Sequence, residues 1–93
     1  MIELINDLVI SVDQYNYTLQ LRTNNYDKEG RMIYRTLGYH DTLAKAIKGA
    51  KNYSIKNELK EGSRSLEEAI NIVNGITKEF EELLNRVLES EEV

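Results

Sequence analysis

The sequence contains no cysteine, no tryptophan and a single histidine, His40. Without cysteine there is no disulfide framework, no thiolate metal site and no sulfur nucleophile. One histidine leaves no imidazole cluster for zinc. His40 stands beside Asp41 between a strand and a helix, where an Asp–His pair could orient an imidazole, but no serine sits in a glycine-flanked elbow to be activated by it. The glycines (30, 38, 49, 62 and 75) are isolated, so no glycine-rich loop offers a phosphate cradle, and no 12-residue calcium loop is present. The chain reads as a protein without a catalytic, metal or cofactor site. No apolar run approaches the roughly 18 residues of a membrane span. Nor does a basic stretch followed by an apolar one mark a signal peptide at the start. The expected location is the cytoplasm of the host cell.

What is present is charge, unevenly placed. Residues 1–56 carry eight Lys/Arg against six Asp/Glu, and residues 57–93 carry four against ten. The acidic half repels phosphate at long range, whereas the mildly basic half could approach it. Ninety-three residues make one domain with one modest core, burying about 60–65% of the extended surface.

The fold is organised around Ser65 to Ser90. Leu66, Ala69, Val73, Ile76, Phe80, Leu83 and Val87 recur at alternating intervals of three and four, the spacing of an amphipathic helix. Ile70, Ile72, Leu84 and Leu88 widen the stripe. Ser65 and Glu68 form a capping box at its start. An earlier helix, residues 41–61, begins at Asp41 or Thr42 and ends before Gly62. Its residues Leu43, Ala46, Ile47, Ala50 and Tyr53 share one face, while Ile55 and Leu59 point elsewhere.

Residues 1–39 read as an antiparallel β-meander of three or four strands: a short edge strand at Ile2–Ile5, then Leu8–Val12, Tyr17–Thr23 and Arg31–Tyr39. A turn at Gln14-Tyr15 sets Leu8 opposite Leu21 and Val12 opposite Tyr17. A three-residue loop at Lys28, Glu29 and Gly30 sets Leu21 opposite Leu37 and Leu19 opposite Tyr39. One face then carries Leu8, Ile10, Val12, Tyr17, Leu19, Leu21, Leu37 and Tyr39. The other carries Val9, Ser11, Thr18, Gln20, Arg22, Met32, Tyr34 and Thr36, and either meets water or docks a partner. The predicted architecture is an α+β domain of order βββαα, whose second helix outruns its sheet. The distal stripe at Leu83, Leu84, Val87 and Leu88 then needs cover from the first helix, from a second copy in a homodimer, or from another protein.

Two resemblances add to this. Tyr17-x-Leu19 in a strand, a charged hairpin turn, Leu37-Gly38-Tyr39, a capping residue, and Ala46-Ile47-Lys48-Gly49 resemble a family of short phage and prophage proteins of unassigned function, over nearly the whole chain. The resemblance implies an accessory gene of a phage infecting a low-GC Gram-positive bacterium. Such proteins commonly bind one host or phage protein, and some block host defence or CRISPR nucleases. Residues 17–50 also resemble the strand–strand–strand–helix domain by which tyrosine-recombinase integrases hold arm-type DNA, with Gly38, Tyr39, Thr42 and Ala46 at the strand-to-helix join. That domain is markedly basic and lacks a long acidic helix, so this chain departs from it in electrostatics.

The leading expectation is a non-catalytic protein that binds and modulates another protein, for example by inhibition. The candidate surfaces are Arg22, Met32, Tyr34 and Thr36 on the sheet, and Leu83, Leu84, Val87 and Leu88 on the helix. An acidic face at Glu67, Glu79, Glu82 and Glu89 could imitate nucleic acid. The alternative is a DNA-binding accessory protein using Arg22, Lys28, Arg31 and Arg35.

Overall fold

A computed structural model describes residues 1–91. Four strands, β1 (Ile2–Glu3), β2 (Leu8–Val12), β3 (Tyr17–Tyr26) and β4 (Met32–His40), are followed by two helices, α1 (Leu43–Leu59) and α2 (Leu66–Glu91). The strands form one antiparallel sheet in sequence order, β1-β2-β3-β4. This is the α+β meander-then-helices architecture that the sequence predicts. The chain divides into two compact units, Met1–Ala46 and the residues from Ile47 onward, each described by itself below.

In the first unit each turn is built by the residues that occupy it. Asn6 and Asp7 adopt φ of 54° and 64°, and the Leu8 amide donates to the Ile5 carbonyl at 3.1 Å. Two successive left-handed residues make the tight turn whose twist suits a hairpin, and Asn and Asp tolerate that conformation best among residues with a side chain. At the next turn the Asp13 carboxylate accepts from the amides of Tyr15 and Asn16, both at 2.7 Å. At the third, Gly30 takes φ 78° and closes the Lys28–Gly30 loop. The Asp27 amide donates to the Arg31 carbonyl at 2.9 Å, while Asp27 Oδ1 accepts from the amides of Glu29 and Arg31.

The β2–β3 register is the predicted one, with Leu8 opposite Leu21, Ile10 opposite Leu19 and Val12 opposite Tyr17. The β3–β4 register departs from expectation. Tyr26 faces Met32 as the three-residue loop requires, but Arg22 faces Tyr34. The chain thus takes four residue steps along β3 against two along β4. A second shift lies between Leu19 and Gln20, where Gly38 and Thr36 are the partners and Leu37 is the extra residue. Leu19 therefore faces Gly38 rather than Tyr39, and Leu21 faces Arg35 rather than Leu37. A net displacement of one residue turns a strand's faces over: Tyr39 joins Thr18's side and is exposed.

Burial follows. Leu8, Ile10 and Leu19 are buried, and so are Val9 and Thr18 on the opposite face. The centre of that second face is therefore not the water-facing surface the alternation allows. Val12 is exposed, which removes it from the expected core.

The helices are capped by their own sequence. Thr42 Oγ1 accepts from the Lys45 amide at 3.1 Å, which makes Thr42 the cap of α1 rather than Asp41. The helix runs unbroken through Gly49 and ends at Leu59, ahead of Gly62 at φ 71°. In the second unit, Ser65 Oγ accepts from the Glu68 amide at 3.1 Å and its hydroxyl donates to the Glu68 carboxylate at 3.2 Å. Glu67 and Glu68 lie in the first turn, where a helix favours negative charge. Phe80 is buried, and Ala69, Ile72, Val73, Ile76, Leu83, Leu84 and Val87 are half-buried along its side of α2.

Candidate functional site

The last residue of β3 paired with β2 is Leu21, yet β3 continues to Tyr26 and turns back into β4 at Met32. This overhang is a two-stranded arm, and specific contacts hold it. Thr23 Oγ1 donates to the Ile33 carbonyl at 2.6 Å and accepts from the Asn25 amide at 3.2 Å, so a hydroxyl serves backbone groups where the ladder is interrupted. Asn24 enters the left-handed region at φ 63°, and its side chain donates to Asp7 at 3.3 Å. At the base, Arg22 donates to Glu3 at 2.6 Å, and its amide donates to the Asp7 carbonyl at 2.8 Å. The Glu3 carboxylate, followed by the Tyr34 hydroxyl, raises the guanidinium's pKa further above its ordinary value.

The arm gathers three of the four sheet candidates. Arg22 and Tyr34 are cross-strand partners on one face, and Met32 is paired with Tyr26 nearer the tip. Thr36, exposed, follows on the face of Arg22 and Tyr34, opposite Gln20. Of the arm's most exposed apolar side chains, sequence reasoning noted Tyr26, 64% exposed, only as a tyrosine near the cations and missed Ile33, 42% exposed, altogether. The signal that could have found them is strand length, since β2 has five residues and β3 has ten.

The four cations of the DNA reading do not share a surface. Arg22 lies on one face and Arg35, opposite Leu21, on the other. Arg31 is held by Asp27 at 3.1 Å and Glu29 at 2.9 Å. Lys28 is exposed in the turn. Ion pairing of Arg22 and Arg31 within the chain reduces the charge left for phosphate.

On α2, Leu83, Leu84 and Val87 are half-buried and Leu88 is exposed, while the largest exposed apolar side chain of the helix is Leu66 at the other end. The acidic candidates Glu67, Glu79, Glu82 and Glu89 are all exposed. At about 100° per residue they spread over the side away from Phe80, where Lys78 and Arg86 interrupt them. Next to the single imidazole of His40, Asp41 pairs with Lys45 at 3.0 Å. That lysine is the main cause that lowers the Asp41 pKa. Among the described residues no group of three or more His, Asp or Glu could hold a metal ion, and no helix is long and apolar enough to cross a membrane. No protein-family model matches the chain, and neither a curated protein nor a solved structure matches it.

Proposed function

We propose that this is a non-catalytic accessory protein of the phage type, which binds another protein through the β3–β4 arm and modulates it. The observation that carries the reading is the arm itself: a hairpin that overruns its neighbouring strand, held at its base by Arg22–Glu3, and exposing Tyr26 and Ile33. Exposed aromatic and aliphatic side chains on a rigid support are the usual material of an interface centre, with charged residues at the rim. Asp27, Glu29 and Arg31 supply such a rim at the tip. The partner is a host or phage protein, and inhibition of host defence or of a CRISPR nuclease is one form of modulation that the family resemblance offers as an example.

The test is affinity capture from a host lysate with the parent protein and with Tyr26→Ala/Ile33→Asp. The reading requires one stoichiometric partner that the parent retains and the variant loses, with the variant's circular dichroism unchanged. Equal capture by both proteins rejects the arm as the contact. The DNA alternative is tested by salt titration of duplex binding. A steep salt slope removed by Arg22→Ala/Arg35→Ala would replace the protein-binding reading.

A further inference from the structure

Three large apolar residues of α2 lie uncovered: Leu66 at 78%, Ile70 at 48% and Leu88 at 44% exposure. They fall on one line along the helix. At about 100° per residue, positions 66, 70, 73, 77, 81, 84 and 88 stay within an arc of about 80°, on the flank of the half-buried stripe. The line is about 33 Å long at 1.5 Å per residue. Its intervals read the same in both directions from Thr77: four, three and four toward Leu66, and four, three and four toward Leu88.

We propose that α2 pairs along this line with α2 of a second copy, antiparallel, with the two-fold axis at Thr77. An isologous contact requires a patch complementary to itself, and this one is. Leu66 meets the partner's Leu88, Ile70 meets the partner's Leu84, and the small side chain of Thr77 meets its own copy. Each exposed end of the line is covered by the other end.

Charge selects both the occupant and its direction. Most of the helix's glutamates are turned away: Glu68, Glu79, Glu82 and Glu89 project from about 100° or more around the helix from the centre of the line. The band bordering the line holds Glu67, Asn74, Lys78 and Asn85, one negative and one positive charge. Two such bands come together without net repulsion. A parallel pair would set Glu81 against its own copy and align the two helix dipoles. The antiparallel pair sets Glu81 opposite Val73, at the edge of the line where the carboxylate keeps its water. The line shares no residue with the β3–β4 arm, and the inference does not depend on what the arm binds.

Because the chain has no cysteine, single-cysteine variants report on this geometry directly in the purified protein. The expected result is a parent protein sedimenting with twice the chain mass. Thr77→Cys then cross-links to a disulfide dimer under mild oxidation, whereas Glu82→Cys, on the far side of the helix, does not. Ile70→Asp/Leu88→Asp changes two exposed positions, so helicity is kept while the mass halves. Sedimentation of the parent at the single-chain mass overturns the proposal. So does equal cross-linking at positions 77 and 82, which would mean a different seam or none.

Discussion

Arg22 and Glu3 stand nineteen residues apart in sequence and 2.6 Å apart in space. The contact ties the base of the β3–β4 arm to β1, a strand of two residues that pairs with β2 only through Ile2 and Glu3. So short an edge strand has few ladder bonds of its own, and a charge-assisted hydrogen bond is among the strongest single contacts open to it. Glu3→Gln should therefore free β1 while β2 and β3 keep their register. Amide exchange should speed up at Leu4 and stay slow at Leu19. Added salt should narrow the difference between parent and variant, because a solvent-accessible pair is screened. Unchanged exchange at Leu4 would mean that the pair does not hold the strand.

Burial separates two leucines that composition treats alike. Leu19 is buried at the centre of the sheet and Leu66 is the most exposed large apolar residue of α2. Leu19→Ala removes packed methyl groups and leaves a cavity, at a cost of about 2–5 kcal/mol. Leu66→Ala in the monomer should change stability by no more than about 0.5 kcal/mol. Urea unfolding of the two changes, each made in the Ile70→Asp/Leu88→Asp background that keeps the chain monomeric, measures the difference, and equal costs would contradict the assigned burial.

The elements legible in the sequence were those fixed by short-range chemistry. Ser65 with Glu68 marked the start of α2 because the cap is closed within three residues, and Gly30 marked a turn because its φ of 78° suits glycine. The β2–β3 register was legible because a tight turn and an unbroken alternation agree. The β3–β4 register was not. Its shift between Arg22 and Tyr26 is held by the Thr23 hydroxyl bonding to Ile33 and by Asn24 in a left-handed conformation, and nothing local distinguishes Asn24 from Asn25 for that role. The candidate site divided in the same way. Alternation alone already set Arg22 and Arg35, on adjacent strands, on opposite faces, and the observed pairing of Arg22 with Tyr34 and of Leu21 with Arg35 keeps them there. It could not show that Arg22 is engaged by a carboxylate from the far edge of the sheet.

Three glycines should respond to alanine with opposite signs. Gly75 lies inside α2, and a Cβ built there meets nothing within 4 Å. Gly75→Ala should stabilise the protein by about 0.5–1 kcal/mol through the lower chain entropy of the unfolded state. Gly30 and Gly62 also have open space, but at φ of 78° and 71°. There alanine meets its own backbone, at a cost of about 1–2 kcal/mol. Thermal denaturation of the three single variants tests the contrast. A destabilised Gly75→Ala would indicate that something approaches that face of α2 closely.

Acid should weaken the β2–β3 hairpin through Asp13. Its pKa is lowered by the hydrogen bonds it accepts from the amides of Tyr15 and then Asn16. A carboxylate whose pKa is lower when folded binds its proton more readily when unfolded. Its contribution to stability is therefore complete above the unfolded value of about 3.9 and fades as pH falls through the folded one. Asp13→Asn keeps an oxygen acceptor for the turn but cannot titrate. The stability gap between parent and Asp13→Asn should be widest near neutrality and shrink steadily below about pH 4. The Asp41–Lys45 pair adds acid sensitivity of the same sign, and it is common to both proteins. Melting temperatures of the two proteins across this range decide the point: a gap that stays constant with pH would show that the Asp13 turn is not held by its charge.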